Sequence, residues 1–181
     1  MNPVDTAALL LRLVVGGTMI AHGWHHAFGG GRLPGTARWF ESLGIRPGRV
    51  HALLATVTET GAGLLLVAGL LTAPAAGAVI GTMAVALIAH HLRNGFFIFR
   101  PGEGYEYVLM IAVVAAALAA LGPGRVSADH LLGTGLDGWP GLAAAAGIGG
   151  AGAATLLAVC WRPSRRPEPD PPLPADGAPV S

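Results

Sequence analysis

The chain has 181 residues, of which 52% are hydrophobic and 12% are charged, and its formal net charge is +1. Soluble domains usually carry about 25% charged residues, so this composition argues against a soluble protein and predicts an integral membrane protein. A net charge near zero argues against a nucleic-acid-binding protein. The single cysteine, Cys160, excludes an intrachain disulfide, a CxxC motif and an iron–sulfur cluster.

Five apolar segments follow one another along the chain, and a helix needs about 20 such residues to cross a bilayer. None of them shows the alternation of a membrane β-barrel, and only helices and closed barrels satisfy backbone polar groups in lipid. The sequence therefore predicts an all-α, polytopic transmembrane helical bundle. The core is expected to have four helices, with a fifth transmembrane helix at the C-terminal side. The predicted spans are residues 4–27, 50–71, 74–92, 105–121 and 139–161.

These segments divide the chain into three predicted parts: a four-helix membrane domain over residues 1–135, an additional transmembrane helix within 136–161, and a disordered Pro-rich tail over 162–181. The first segment is kept as a membrane helix because its leader lacks the positive charge of a signal peptide. Arg12, two turns into it, is expected to snorkel toward the nearer interface.

Small, aromatic and polar residues predict a close helix contact, a short interfacial helix and a loop. Gly77 and Gly81 form a GxxxG pair, which lets a neighbouring helix approach closely. Residues 36–43 have helical spacing with Trp39 on one side, which predicts a short interfacial helix. Residues 125–138 are interpreted as a polar loop.

The arginines predict the orientation of the bundle. Nine of the eleven basic residues fall in the first loop, the third loop and the tail, and only Arg125, with Arg12 near it, falls on the opposite side. By the positive-inside rule the N-terminus is outside and the C-terminus is cytoplasmic. The nine are Arg32, Arg38, Arg46, Arg49, Arg93, Arg100, Arg162, Arg165 and Arg166.

Glu59 is the strongest candidate for a functional residue. A carboxylate inside a membrane helix costs about 2.5–3.5 kcal/mol on insertion scales, and it normally faces the bundle interior with a partner. His22 and His91 end the first and third spans, toward the same side of the membrane, and are the expected partners of Glu59. The alternative is a structural hydrogen bond that fixes the second span.

The corner between the third and fourth spans, residues 89–107, gathers further polar groups. Asn94 ends the third span, and Tyr105 and Glu106 open the fourth. We predict these three residues to be ligand-binding residues at the mouth of a Glu/His pocket. Capping of the fourth helix is an equal alternative for Tyr105 and Glu106. No metal site is predicted.

The sequence resembles the DoxX family over about residues 5–132. The motifs that carry the resemblance are His22-Gly23, Glu59-x-Gly61-x-Gly63, His91-Leu-Arg-Asn94-Gly95-Phe96-Phe97, Gly104-Tyr105-Glu106, and Gly122-Pro123-Gly124-Arg125 with Ser127-x-Asp129. The chain departs from the family pattern by its fifth span and tail, and by His25-His26 where a lysine often follows the first His-Gly.

The resemblance implies a small protein of the bacterial plasma (inner) membrane, linked to membrane redox and oxidative-stress systems. The family name is shared with a subunit of thiosulfate:quinone oxidoreductase. It therefore implies quinone or a small sulfur compound as ligand, no intrinsic cofactor, and a redox partner protein that supplies electrons.

Three hypotheses of function follow. In the first, the chain is a subunit of a quinone-linked oxidoreductase, in which His22 or His91 donates to a quinone carbonyl and Glu59 carries the coupled proton. In the second, it is a non-catalytic scaffold that recruits a redox enzyme through its loops and tail. In the third, it is a small-solute or proton-coupled transporter.

Overall fold

The computed structural model describes residues 2–163, and all the secondary-structure elements of this part of the chain are helices, joined by loops. The predicted all-α bundle is confirmed. A 3₁₀ turn at His91–Asn94 follows α4, and the predicted disordered tail lies outside the described residues beyond position 163. The helices are α1 (Pro3–Phe28), α2 (Arg32–Ser42), α3 (Gly48–Ala68), α4 (Thr72–Ala89), α5 (Glu106–Leu121), α6 (Ala128–Leu132) and α7 (Gly138–Cys160).

Four of the described helices, α1, α3, α4 and α7, are long and apolar enough to cross a membrane. The predicted fourth span is the shorter apolar helix α5, with 16 residues. At 1.5 Å per residue its length is about 24 Å. Val108, Ile111 and Leu118 of α5 belong to the hydrophobic core, so this helix is an interior member of the bundle.

Helices α1 and α3 meet through glycines. A Cβ atom placed on Gly63 would lie 2.6 Å from the carbonyl oxygen of Gly16, and one on Gly23 would lie 2.9 Å from the carbonyl oxygen of Thr56. The two backbones therefore touch directly, as small residues allow in membrane bundles. Residue 16 is level with residue 63 and residue 23 with residue 56, which shows that the helices are antiparallel.

The predicted GxxxG pair on α4 is the docking surface of α7. A Cβ atom on Gly77 would lie 2.8 Å from the carbonyl oxygen of Ala145, and one on Gly81 would lie 3.0 Å from that of Gly149. The buried residues of α7 recur every four positions and form one stripe: Gly141, Ala145, Gly149 and Ala153. The fifth span thus packs closely on the bundle through one face and leaves its other faces exposed.

The end of α7 is also tied to the loop between α2 and α3. The Arg46 amide donates to the Cys160 carbonyl (3.0 Å), and the Arg162 amide donates to the Gly44 carbonyl (2.7 Å). The indole N–H of Trp161 donates to the Leu43 carbonyl at 3.0 Å. We call these three contacts the terminal bridge.

Some helix ends differ from the predictions. The second span ends at Ala68 rather than 71, because Gly69 adopts a left-handed conformation (φ 66°) and caps α3. The third ends at Ala89 rather than 92, and its last residues form the 3₁₀ turn. The predicted polar loop 125–138 contains the short helix α6. The Ser127 hydroxyl caps that helix by accepting from the His130 amide.

The prediction for Arg12 was wrong, because its side chain does not reach the interface and is 2% exposed. Its guanidinium instead donates to four backbone carbonyls. The last carbonyls of a helix lack intrahelical partners and carry the negative end of the helix dipole, so the end of α3 stabilises this buried cation. The acceptors are Leu66 (2.9 Å), Val67 (3.2 Å), Pro123 (2.6 Å) and Val126 (2.7 Å).

Two carboxylates complete this end of the bundle. Asp129 accepts from the amides of Leu71 and Thr72, both at 2.8 Å, at the start of α4. Asp5 accepts from the Arg125 amide at 2.9 Å. All these buried groups have hydrogen-bond partners, and together they join α1, the α3–α4 turn and the segment after α5. We call Asp5, Arg12, Ser127 and Asp129 the anchor cluster.

Candidate functional site

Glu59 lies inside α3 with 4% of its surface exposed. Its Oε2 atom is 3.2 Å from His26 Nε2, in the last turn of α1, and this is the only ion pair within residues 2–163. The angles are not those of a hydrogen bond, so Glu59 Oε2 is buried without a hydrogen-bond partner among the described residues. The short distance establishes proximity, and the unsatisfied oxygen leaves an acceptor free for a proton or a ligand.

The prediction that His22 and His91 are the partners of Glu59 was wrong, because His26 is the histidine beside it. The reason lies in side-chain direction. Side chains on a helix tilt toward its N-terminus, and α1 and α3 are antiparallel. Glu59 is nearly level with Gly23, so Glu59 and His26 lean toward one another from either side, whereas His22 leans away.

His22 and His91 contact other groups. His22 is exposed, and its Nε2 lies 3.4 Å from the hydroxyl of Tyr107 on α5. His91 Nδ1 donates to the carbonyl of Glu103 at 2.8 Å. Neither histidine is within 4.0 Å of the Glu59 carboxylate, so a direct role beside Glu59 is not supported for either of them.

The predicted ligand-binding residues hold the corner loop in shape. The Asn94 amide donates to the carbonyls of Gly102 (2.5 Å) and Glu103 (3.2 Å), and Glu106 accepts from the Ile98 amide at 3.2 Å. The ring of Tyr105 packs edge-on against Phe96. These groups have partners within the loop, and their ligand-binding role stays a prediction.

Helix α2 covers the open side of the Glu59–His26 pair. The Thr36 hydroxyl donates to the His26 carbonyl at 3.0 Å, and the ring of Phe40 lies 6.1 Å from the His26 ring. From there adjacent rings continue to the surface. We call the set the ring row, and it consists of His26, Phe40, Trp39, His90 and His91, with centroid spacings of 6.1, 5.2, 5.5 and 4.7 Å.

The middle of the ring row carries no fixed charge, because Phe40 and Trp39 have no ionisable group. Burial lowers the pKa of His90 below its ordinary value of 6.5, and the neighbouring His91 lowers it further, against the opposite effect of Glu103. His90 is therefore mainly in its neutral form at pH 7.

Sequence reasoning proposed His22 rather than His26 as a partner of Glu59, and it included Phe40 only as part of a short interfacial helix. The sequence did carry a signal for His26: it lies four residues after His22, and the direction of helical side chains favours the later residue. Within residues 2–163, no group of three His, Cys, Asp or Glu side chains is arranged to hold a metal ion.

Four long apolar helices and an acidic residue inside one of them define a multi-pass helical membrane protein. A family model, DoxX, matches residues 7–92, so this part of the chain is similar to that family. The match spans α1 to α4 and includes both His26 and Glu59, whereas Asn94, Tyr105 and Glu106 lie beyond it. No curated protein and no solved structure matches the chain.

Proposed function

We propose that this protein is the membrane subunit of a redox system, in which the Glu59–His26 pair exchanges a proton with a small bound molecule. The observation that carries the proposal is the Glu59 carboxylate, buried in a membrane helix 3.2 Å from a histidine and without a hydrogen bond at Oε2. Buried ionisable groups inside membrane helices mark proton relays and substrate pathways. A histidine adds a group whose charge changes near neutral pH.

The DoxX resemblance supplies the ligand class, which is a membrane quinone or a small sulfur compound. Reducing a quinone to a quinol consumes two electrons and two protons. A partner redox protein supplies the electrons, the Glu59–His26 pair supplies one proton, and water at the membrane surface supplies the other and reprotonates the pair. When a sulfur compound is oxidised instead, the partner redox protein accepts its electrons, and the Glu59–His26 pair accepts the proton that is released.

The proposal places the chain in a bacterial inner membrane with its N-terminus outside. The arginine asymmetry supports this orientation: Arg32, Arg38, Arg46 and Arg49 lie in one loop, and Arg125 lies on the other side. A reporter fused after Ser181 should be active in the cytoplasm, and one fused at Gly135 should be active outside. The opposite pattern would contradict the orientation without affecting the proton-exchange proposal.

Glu59→Gln tests the proton-exchange role. The amide keeps the shape of the carboxyl group and its ability to form hydrogen bonds, and it removes the exchangeable proton. We expect the variant to melt within a few degrees of the wild type in detergent and to lose complementation of an oxidant-sensitive deletion strain. Extraction of co-purified quinone measures ligand binding in the same samples.

Asp129→Asn is the matched control, because it replaces a buried carboxylate of the anchor cluster by its amide. This variant should lose thermal stability and retain complementation in proportion to its folded amount. A stable Glu59→Gln protein that complements fully would overturn the proton-exchange role.

A non-catalytic scaffold is the second candidate, and one observation favours it. The corner loop, held by Asn94 and Glu106, exposes four consecutive apolar side chains, from Phe96 to Phe99, with exposed fractions of 40–79%. Phe97→Ser with Phe99→Ser should abolish complementation in this case while Glu59→Gln stays silent. The reverse pattern supports the proton-exchange role.

A further inference from the structure

A second feature lies away from the Glu59–His26 pair, on the outer surface between α3 and α7. Here the two helices leave an open groove of about 470 Å³. Apolar side chains form most of its wall, and they belong to helices that are long enough to span a membrane. The lining residues are His51, Leu54, Ala151, Gly152, Thr155, Leu156, Val159 and Cys160.

His51 distinguishes this groove from an apolar groove that only faces lipid. Its side chain lines the groove, is 7% exposed, and has a buried Nδ1 atom without a hydrogen-bond partner among the described residues. Buried polar atoms in proteins nearly always have a partner. A ligand with a hydrogen-bonding head and an apolar tail would satisfy the histidine and fill the rest of the groove.

Arginines surround the same end of the groove. The amide of Arg46 donates to the carbonyl of Cys160, and Arg162 is two residues beyond Cys160, with its guanidinium donating to the Ala158 carbonyl at the end of α7. Both arginines are exposed, and neither is within 4.0 Å of a carboxylate of residues 2–163. The nearby Glu41 accepts from the Gly48 amide and leaves a local excess of positive charge.

We propose that the α3–α7 groove is a binding site for an anionic phospholipid. One acyl chain lies along Leu54, Leu156 and Val159, and the phosphate lies between Arg46 and Arg162, with His51 donating to a head-group or ester oxygen. Basic pockets between transmembrane helices bind anionic head groups in this way. The inference does not depend on the proposed redox function, since the groove shares no lining residue with the Glu59–His26 pair.

Gly152→Leu tests the apolar part of the site. A Cβ atom at Gly152 meets no atom within 4 Å, so the leucine side chain can begin without a backbone clash and extend into the groove that Gly152 lines. Gly150→Leu is the matched control: it is on the same helix, is equally free of contacts and lies outside the lining. The full-length protein in detergent is titrated with phosphatidylglycerol or phosphatidylcholine, and bound lipid is counted by native mass spectrometry.

We expect the wild type and Gly150→Leu to retain phosphatidylglycerol in preference to phosphatidylcholine, and Gly152→Leu to lose at least about 90% of the bound lipid. Equal binding by all three proteins would overturn the site. An equal loss in both leucine variants would also overturn it, since the effect would then not be local to the groove.

Arg46→Gln with Arg162→Gln tests the head-group part. Each arginine near an anionic lipid contributes about fivefold in affinity, so the double variant should bind phosphatidylglycerol about 25-fold more weakly. Phosphatidylcholine binding should stay unchanged. Arg38→Gln with Arg125→Gln removes the same charge from exposed positions away from the groove and should have no effect. Equal affinity for the two lipids in the wild type would show a neutral lipid site and overturn the anionic assignment.

Discussion

The two ends of the bundle bury charged groups in opposite ways. In the anchor cluster, Arg12 donates to four carbonyls and Asp129 accepts from two amides. At the other end, the Oε2 atom of Glu59 is near His26 and lacks a hydrogen bond. A buried polar group with all its partners rigidifies a fold, whereas one without them is costly to keep. Burial of a charge alone therefore does not separate a structural group from a candidate functional one, and these two ends differ in the number of hydrogen-bond partners that the charge has.

The two ends also differ in how much of the chain they connect. The partners of Arg12 are 54 to 114 residues away in the sequence, and they bring α3 and the segment after α5 to α1. The Glu59–His26 pair joins only α1 and α3, with α2 lying over it. The anchor cluster should therefore control global stability, and the pair should control function with little effect on stability.

The largest expected effect is that of Arg12→Met. Methionine has a similar length but removes all four hydrogen bonds to backbone carbonyls, of which the Leu66 carbonyl still accepts from the Gly69 amide. An unsatisfied buried group costs about 1–3 kcal/mol. We expect a loss of more than about 3 kcal/mol in the free energy of unfolding, measured by denaturant titration in detergent micelles. Arg38→Met, at an exposed position, should stay within about 0.5 kcal/mol of the wild type.

Asp129→Asn should cost about 1.5–3 kcal/mol, because an amide replaces a charged acceptor of two backbone N–H groups. Burial raises the pKa of Asp129, but hydrogen bonds from Thr72, Leu71 and Thr134 outweigh it and hold the pKa below 3.8. The contribution of Asp129 is therefore complete above pH 3.8 and is lost as the pH falls further. The asparagine variant should lack this part of the acid dependence of stability, and an unchanged dependence would contradict the assignment.

Gly63→Ala should have an intermediate effect. Its Cβ would lie 2.6 Å from the Gly16 carbonyl oxygen, which belongs to the backbone and cannot turn aside. We expect α1 and α3 to separate, with a loss of about 1–2 kcal/mol and weakened contact between His26 and Glu59. The control Gly61→Ala meets no atom within 4 Å and should be neutral or slightly stabilising, since alanine favours helices over glycine by about 1 kcal/mol. Thermal melting of both variants measures the two changes in stability.

Glu59→Gln should change stability least, by under about 0.5 kcal/mol, because the carboxylate oxygen has no hydrogen bond to lose. Thermal melting in detergent, with Asp129→Asn measured beside it, tests this expectation. A destabilisation equal to that of Asp129→Asn would remove the contrast between the two ends.

The sequence predicted the helices well because a membrane span is set by the length of an apolar run, and such runs are visible in the chain. Helix α6 was missed because five residues give no periodicity, although Ser127 and Gly133 are its cap signals. The partners of Arg12 could not be predicted, since they are backbone carbonyls brought together by the tertiary fold. Glu59 was found from its charge alone, but choosing between His22 and His26 required the register of α1 against α3.

The terminal bridge has a consequence for biosynthesis. Trp161 follows its partner Leu43 by 118 residues, which at 5–20 residues per second corresponds to about 6–24 s of translation. Throughout that interval the Gly44 carbonyl and the Arg46 amide lack the partners that Arg162 and Cys160 provide. Docking of α7 therefore completes the bundle. A chain truncated before the end of α7 leaves these backbone groups unpaired, and quality-control proteases can recognise such an exposed segment.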